Sequence, residues 1–260
     1  MSSPHGVDPR DVPGGPPDED GLVRLQKLLA QSGVASRRKC EELMLDGLVE
    51  VDGEVVTRLG TKVDPFTAVI RVDGKRLPPV SPNVYLVLNK PRGVVSTMSD
   101  PEGRRTLEEF VADRPERLFH VGRLDTDTEG LILLTNDGDF AQKVAHPSYE
   151  LDKTYVAQVD GQVSKATIKQ LLAGVTLEDG PVAVSEAKLV SATPDRSIVE
   201  LTIHEGRNRI VRRLLDHLGH PVTKLTRTAI GPVQLTGLKK GALRELTRDE
   251  LGTFLDAAKL

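Results

Sequence analysis

The segment Leu77-Pro-Pro-Val-Ser-Pro82 constrains this chain more than any other. Its three prolines fix φ and remove backbone donors, so neither a helix nor a strand ladder can run through it. The chain therefore reads as two folding units joined by a stiff linker, residues 21–80 and residues 83–260. A further stretch, residues 1–20, holds five prolines, three glycines and five acids against one Arg, with Val7 and Val12 almost its only core-forming side chains. It buries too little apolar surface to offset its ordering entropy, and is expected to be a disordered tail. The tail carries −4 and the whole chain −3, which leaves +1 on residues 21–260. Such a chain is no polybasic nucleic-acid glue, and an anionic partner must be met by local clusters.

In the smaller unit Leu22, Leu25, Leu28 and Leu29 recur at helical spacing behind Asp20, a candidate N-cap, and Gly33 closes the segment. Ser36 is placed to cap a second helix that turns Cys40, Leu43 and Met44 inward and stops before Gly47. Val49 and Val51 lead through Asp52-Gly53 into Val55 and Val56, a hairpin signal, and Val69 to Val72 ends in a second Asp-Gly pair. In the larger unit, strands are expected over 85–88, 131–134, 155–159, 198–203 and 222–225, and helices over 106–112, 165–173 and 208–218. Thr247-Arg-Asp-Glu250 is a capping box that opens a last helix holding Leu251, Phe254 and Leu255. This irregular alternation implies an α+β fold with a mixed or antiparallel sheet flanked by helices.

Several function classes are excluded. A single cysteine, Cys40, forbids an internal disulfide framework and multi-Cys zinc motifs, and fits a reducing, cytoplasmic location. No apolar run approaches the roughly 18 residues of a membrane span, so no membrane partner is expected. Aromatic residues make up 3% of the chain, with no Trp, which argues against rows of base-stacking platforms and gives weight to a single well-placed Tyr. No two of the 23 glycines are separated by one residue, so the G-x-G grip of dinucleotide and methyl-donor sites cannot occur. His217 and His220 have only Asp216 near them to complete a metal set, and read as helix-end histidines.

Three concentrations of residues remain. On the smaller unit, Arg24 and Lys27 lie on the first helix and Arg37, Arg38 and Lys39 cluster at the start of the second, a phosphate grip or a solvated face. In the larger unit, His120-Val-Gly-Arg-Leu-Asp-Thr-Asp-Thr-Glu-Gly130 puts Asp125 in a turn held by the apolar strand that follows. Asp125, Asp127, Glu129 and Gly130 match half of a calcium loop, but that pattern then demands a Glu where this chain has Asn136. Between Glu205 and Arg227 six bases face two acids, an anion-facing surface. Arg209 and Arg213 share one helical face there, whereas Arg212 sits about one hundred degrees from Arg213, so at least one of them is able to turn inward and meet a carboxylate.

Gly122-Arg-Leu-Asp-Thr-Asp-Thr-Glu-Gly-Leu, with Asn89-Lys-Pro-Arg-Gly-Val-Val-Ser-Thr before it and Lys153-Thr-Tyr155 and Glu205-Gly-Arg-Asn-Arg-Ile-Val-Arg-Arg after it, resembles the RsuA/RluB-type ribosomal RNA pseudouridine synthases. Residues 21–80 are similar to the RNA-binding module typified by ribosomal protein S-four. The resemblance implies an enzyme that isomerises uridine in ribosomal RNA without metal or other cofactor. It acts as a monomer on 23S rRNA if the likeness to the B-type large-subunit branch holds, with 16S rRNA or a non-catalytic ribosome-assembly role as the alternatives. Carried over residue by residue, the resemblance makes Asp125 the essential carboxylate, Arg212 its basic partner, Tyr155 the residue that stacks on the target base, and Arg123 the side chain that fills the space of an extruded nucleotide. Lys90, Arg92, Arg207 and Arg209 are expected at phosphates. Ile210 stands where many members have Gln, which removes a polar contact there.

Overall fold

A computed structural model of the chain describes residues 21–77, 82–145 and 151–257. The expected tail, the cap at Asp20 and most of the proline segment lie outside the described residues. Backbone contacts divide the chain into two compact units. One takes the residues up to Val84 with Arg114–Leu118 and Asn136–Asp139, and the other takes the remainder.

In the first unit, β1 (Val23–Arg24) leads into α1 (Leu25–Gln31), and α2 (Arg37–Leu45) follows after a short turn. The Ser36 hydroxyl accepts from the Lys39 N–H, as its position ahead of α2 predicts. α1 has no such device. Arg24 holds its N-cap position without a side-chain hydrogen bond. Then come β2 (Val49–Val51), β3 (Glu54–Val55), β4 (Lys62–Val63), β5 (Ile70–Val72) and β6 (Lys75–Arg76). Asp52 and Gly53 both have positive φ, as do Asp73 and Gly74, so each Asp-Gly pair makes the tight turn whose twist matches a hairpin. Leu25, Leu28, Leu29, Cys40, Met44, Val49, Val63 and Ile70 form the core.

The second unit is built on one mixed sheet. Its elements are β7 (Tyr85–Lys90), β8 (Phe119–Val121), β9 (Thr128–Thr135), then α3 (Gly138–Ala145), β10 (Lys153–Asp160), α4 (Lys165–Ala173), a small hairpin β11 (Val175–Leu177) and β12 (Gly180–Val182), β13 (Glu186–Ala192), β14 (Arg196–Ile203), α5 (Ile210–His217), β15 (Val222–Ile230), β16 (Val233–Gln234), β17 (Leu243–Glu245) and α6 (Arg248–Ala257). The main path runs β13-β14-β10-β15-β9-β7-β17, with β16 beside β15 and β8 beside β9. Every described pairing in it is antiparallel except β15 with β9. Every residue of β9 is buried, as a central strand covered on both faces must be. Val87, Leu131, Leu133, Phe140, Ile230 and Phe254 anchor the core, and Phe140 meets Phe254 edge-on at 5.7 Å between ring centres.

The capping box is reciprocal. Thr247 N–H donates to Glu250 and Glu250 N–H donates to the Thr247 hydroxyl, at 2.9 and 3.1 Å. Two expected helices are shorter. Over 106–112 only a four-residue 3₁₀ turn forms, Leu107–Phe110, because Thr106 bridges to Val95 and the Leu107 N–H is taken by Thr97 O. The helix expected from Asn208 starts at Ile210, because Arg209 has left-handed backbone at φ 49°. β13 has no counterpart among the expected strands, since no residue along it is fully buried and its alternation is confined to Glu186, Ala187, Lys188 and Leu189.

Candidate active site

The parallel contact between β15 and β9 aligns Leu225 with Thr128 and Arg227 with Gly130, while β10 places Tyr155 across from Arg227 on the other side. The turn that enters β9, the start of β10 and the approach to α5 therefore converge. They enclose a cavity of about 1040 Å³, lined among others by Arg123, Asp125, Lys153, Tyr155, Arg209 and Arg227.

The turn bearing Asp125 is held by the loop that follows β7. Gly93 N–H donates to Thr126 O at 2.7 Å. The Ser96 hydroxyl donates to Leu124 O at 2.6 Å and accepts from the Leu124 N–H at 3.0 Å, and both residues are buried. Leu124 thus packs inward, while Arg123 before it is exposed and Asp125 after it is half-buried at the cavity. The holding loop is itself organised from within. Lys90 has no exposed surface, and its ammonium donates to Val94 O at 2.7 Å and Pro91 O at 3.1 Å. Burial pushes its pKa down to about 8, with Asp125 and Asp127 pulling the other way. Lys90 is therefore corrected from a phosphate contact to a buried support, because nothing outside the fold can reach it.

Asp125, Asp127 and Arg209 line the cavity, and Arg212 stands behind them. Arg209 donates with both terminal nitrogens to the two oxygens of Asp127, each at 3.0 Å, and lies 3.5 Å from Asp125. Arg212 lies 3.3 Å from the Asp127 carboxylate and donates to Asp127 O, Thr128 Oγ1 and Val222 O. The hydrogen bonds from Arg209, with the charge of Arg212 added, hold the Asp127 carboxyl below the usual range against the effect of burial. Burial lowers the pKa of Arg212 itself. The direct ion partner of Asp125 is thus Arg209, and Arg212 acts on Asp125 through its charge from behind Asp127. That departs from the expected pairing, and Arg209 is not the free phosphate contact the sequence suggested.

The other basic residues separate into paired and free. Arg207 is bound by Glu205, by Asp179 and by the Asp179 and Pro181 carbonyls, which ties it to the β11–β12 hairpin rather than leaving it for RNA. Lys27 lies 2.9 Å from Asp139 and is likewise engaged, and Lys39 pairs with Glu42 on the surface. Arg24, Arg37, Arg38 and Arg92 are exposed. Tyr155 is 8% exposed on β10 at the cavity.

Ser96, Gly130, Lys153 and Arg227 have positions at the site for which the sequence supplied no role. Only Gly130 had a readable signal, a glycine inside an apolar strand, which marks a close backbone approach. Among the described residues no cluster of three His, Cys, Asp or Glu side chains is arranged to hold a metal, and no helix is long and apolar enough to cross a membrane.

Comparison with known proteins shows the family. Residues 84–217 match the RNA pseudouridylate synthase family, and residues 23–69 match the S4 domain. The chain is 50% identical over 232 residues to the ribosomal large subunit pseudouridine synthase B of Bacillus subtilis, covering 88% of this chain and 94% of that protein. It is 52% identical over 241 residues to an uncharacterized RNA pseudouridine synthase of Mycobacterium tuberculosis, covering 92% and 95%. A solved pseudouridylate synthase superposes with a TM-score of 0.60 at 30% identity, over 89% of this chain and 99% of that one. With its S4 domain, its mixed-sheet catalytic unit and these relatives along nearly its whole length, the chain belongs to the RNA pseudouridine synthase family and is an enzyme of that activity.

Proposed function

We propose that this enzyme converts a uridine of 23S ribosomal RNA to pseudouridine in the cytoplasm, with Asp125 as its catalytic carboxylate. The observation that carries the choice of RNA is the 50% identity to the large-subunit synthase of Bacillus subtilis, which extends over 94% of that protein. Asp125 suits the chemistry because it reaches the cavity from a turn pinned by Ser96 and Gly93, with the Arg209 guanidinium 3.5 Å away. A carboxylate so held is able to attack the sugar at C1′ or to take the C2′ proton as the base leaves. Its nearest chemical parallel is glycoside cleavage by a carboxylate nucleophile. Tyr155 offers its ring to the target base, and Arg212 sustains the local positive potential.

A uridine in folded RNA must first be swung out, at a cost of roughly a few kcal/mol. The exposed Arg123 is positioned to occupy the space it leaves. Arg24, Arg37, Arg38 and Lys39 on the first unit and Arg92 on the second supply phosphate contacts. The test is chemical mapping of pseudouridine across ribosomal RNA from cells with and without the protein, repeated with Asp125→Asn. One 23S position should lose its modification in both. A lost position in 16S rRNA overturns the choice of subunit, and modification that survives Asp125→Asn overturns the role of Asp125.

A further inference from the structure

None of the roles above uses Arg227, although it lines the cavity. It is 3% exposed and lies on β15 between Tyr155 and Gly130 on the flanking strands. Its Nε donates to Leu131 O at 2.8 Å, which ties the side chain back to β9, but its Nη2 is shielded from water and has no hydrogen-bond partner. An orphaned N–H on a buried cation is costly and calls for an explanation, of which a catalytic role is one. Lys153 lines the same cavity and donates to Leu151 O and His204 O, and the charge of Arg227 adds to burial in lowering its pKa. Neither Lys153 nor Arg227 takes part in the ion pairs found among the described residues, whose carboxylates at this site go to Arg209, Arg212, Lys224 and Lys240. The cavity thus has uncompensated positive charge beside Tyr155.

What enters the cavity decides the ligand. RNA phosphates stay hydrated at its mouth, whereas an extruded base reaches inside. When the N1–C1′ bond breaks, its electron pair leaves with the uracil, and the negative charge spreads over N1, O2 and O4. Asp125 answers the positive charge of the sugar, by a bond to C1′ or by accepting the C2′ proton and later returning it. The base makes a half turn about the axis through N3 and C6, which exchanges N1 with C5 and O2 with O4. C5 then bonds to C1′, the C5 proton leaves and N1 takes one up, so nothing is consumed. A single donor beside the base meets O2 before the turn and O4 after it. We infer that Arg227 is a catalytic residue, whose guanidinium lines the cavity with no hydrogen bond from its terminal nitrogens among the described residues, and which receives a carbonyl oxygen of the detached uracil and stabilises the anion while the base turns. The arriving oxygen breaks no protein hydrogen bond, and Nε keeps its own tether.

The inference rests on the reading of the Asp125 cavity as the catalytic site, and the experiment separates the two. Full-length enzyme, Arg227→Met, Arg227→Lys and Asp125→Asn are assayed in single turnover on 23S transcripts made with uridine or with 5-fluorouridine. Products are read as nucleosides by mass. Fluorine withdraws electrons and steadies the uracil anion by itself, and because it replaces the C5 proton the reaction stops after rejoining. Arg227→Met should slow the uridine reaction by about 100-fold, the scale of a lost oxyanion donor, but the 5-fluorouridine reaction by only about tenfold. Arg227→Lys, which retains the charge in a side chain less disruptive to the fold, should recover part of the uridine rate, and RNA affinity should stay within about threefold throughout. Equal losses on both substrates, or no loss, overturn the inference, and do so for Arg227→Lys alone if the Met variant does not fold. Activity retained by Asp125→Asn overturns the catalytic-site reading and this inference with it.

Discussion

Replacing Gly130 with Ala should damage this enzyme far more than the loss of one glycine usually does. A Cβ on Gly130 would lie 2.2 Å from Arg227 O and 2.7 Å from Arg227 N, both backbone atoms of the adjacent parallel strand, and the residue sits at φ +112°. Two penalties therefore add. An L side chain in that backbone region costs of order 1–3 kcal/mol, and forcing a methyl into packed backbone costs about 1–3 kcal/mol more. The sum of about 2–6 kcal/mol is a large share of the roughly 5–15 kcal/mol that holds a domain folded. The neighbouring contacts cannot absorb it, because Glu129 beside it is clamped by Lys224, Lys240 and Thr226, and Leu131 after it accepts from Arg227. Gly219→Ala is the control. Gly219 also has positive φ, +81°, at the end of α5, but no atom lies within 4 Å of its Cβ position, so only the conformational penalty of about 1–2 kcal/mol applies. Urea denaturation followed by circular dichroism should show Gly130→Ala losing about 1–3 kcal/mol more than Gly219→Ala, the packing penalty alone. Equal losses refute the argument that strand approach, rather than backbone angle, requires this glycine.

Lys90→Met should reveal the buried ammonium through pH. The folded-state pKa of about 8 lies below the ordinary lysine value, so the unfolded chain binds more protons between about pH 8 and 10.5, and wild-type stability relative to Lys90→Met should rise across that window. A difference flat with pH, measured by denaturation at pH 7 and 9.5, would show that Lys90 is solvated. The double variant Arg37→Ala/Arg38→Ala should weaken RNA binding and reduce the slope of log affinity against log salt by about 1–2, as expected when two phosphate contacts release fewer counterions. Filter binding from 50 to 300 mM salt reads this directly, and an unchanged slope removes both residues from the interface. Thr247→Ala opens the reciprocal cap of α6 and should cost about 1 kcal/mol, seen as a lower Tm with the RNA reaction unchanged.

Features encoded within a few residues are legible in the sequence alone. The Asp52-Gly53 turn, the Ser36 cap and the Thr247–Glu250 box each depend on φ preference or on a side chain meeting an amide three residues away, and each forms as its spacing implies. The four ordered motifs are enough to name the family. The pairing of charges is not legible, because Arg209 and Arg212 find Asp127 across more than eighty residues, and only the fold decides which guanidinium reaches which carboxylate. A lysine beside a proline turn reads the same whether it faces solvent or, like Lys90, points inward at two carbonyls. The parallel contact of β15 with β9, which places Arg227 in the cavity and leaves its Nη2 without a partner, belongs to the sheet as a whole. Sequence determined the local conformations and the chemistry available. Tertiary structure decided which groups are buried, paired or left free, because those are properties of distance and solvent exclusion between segments far apart in the chain.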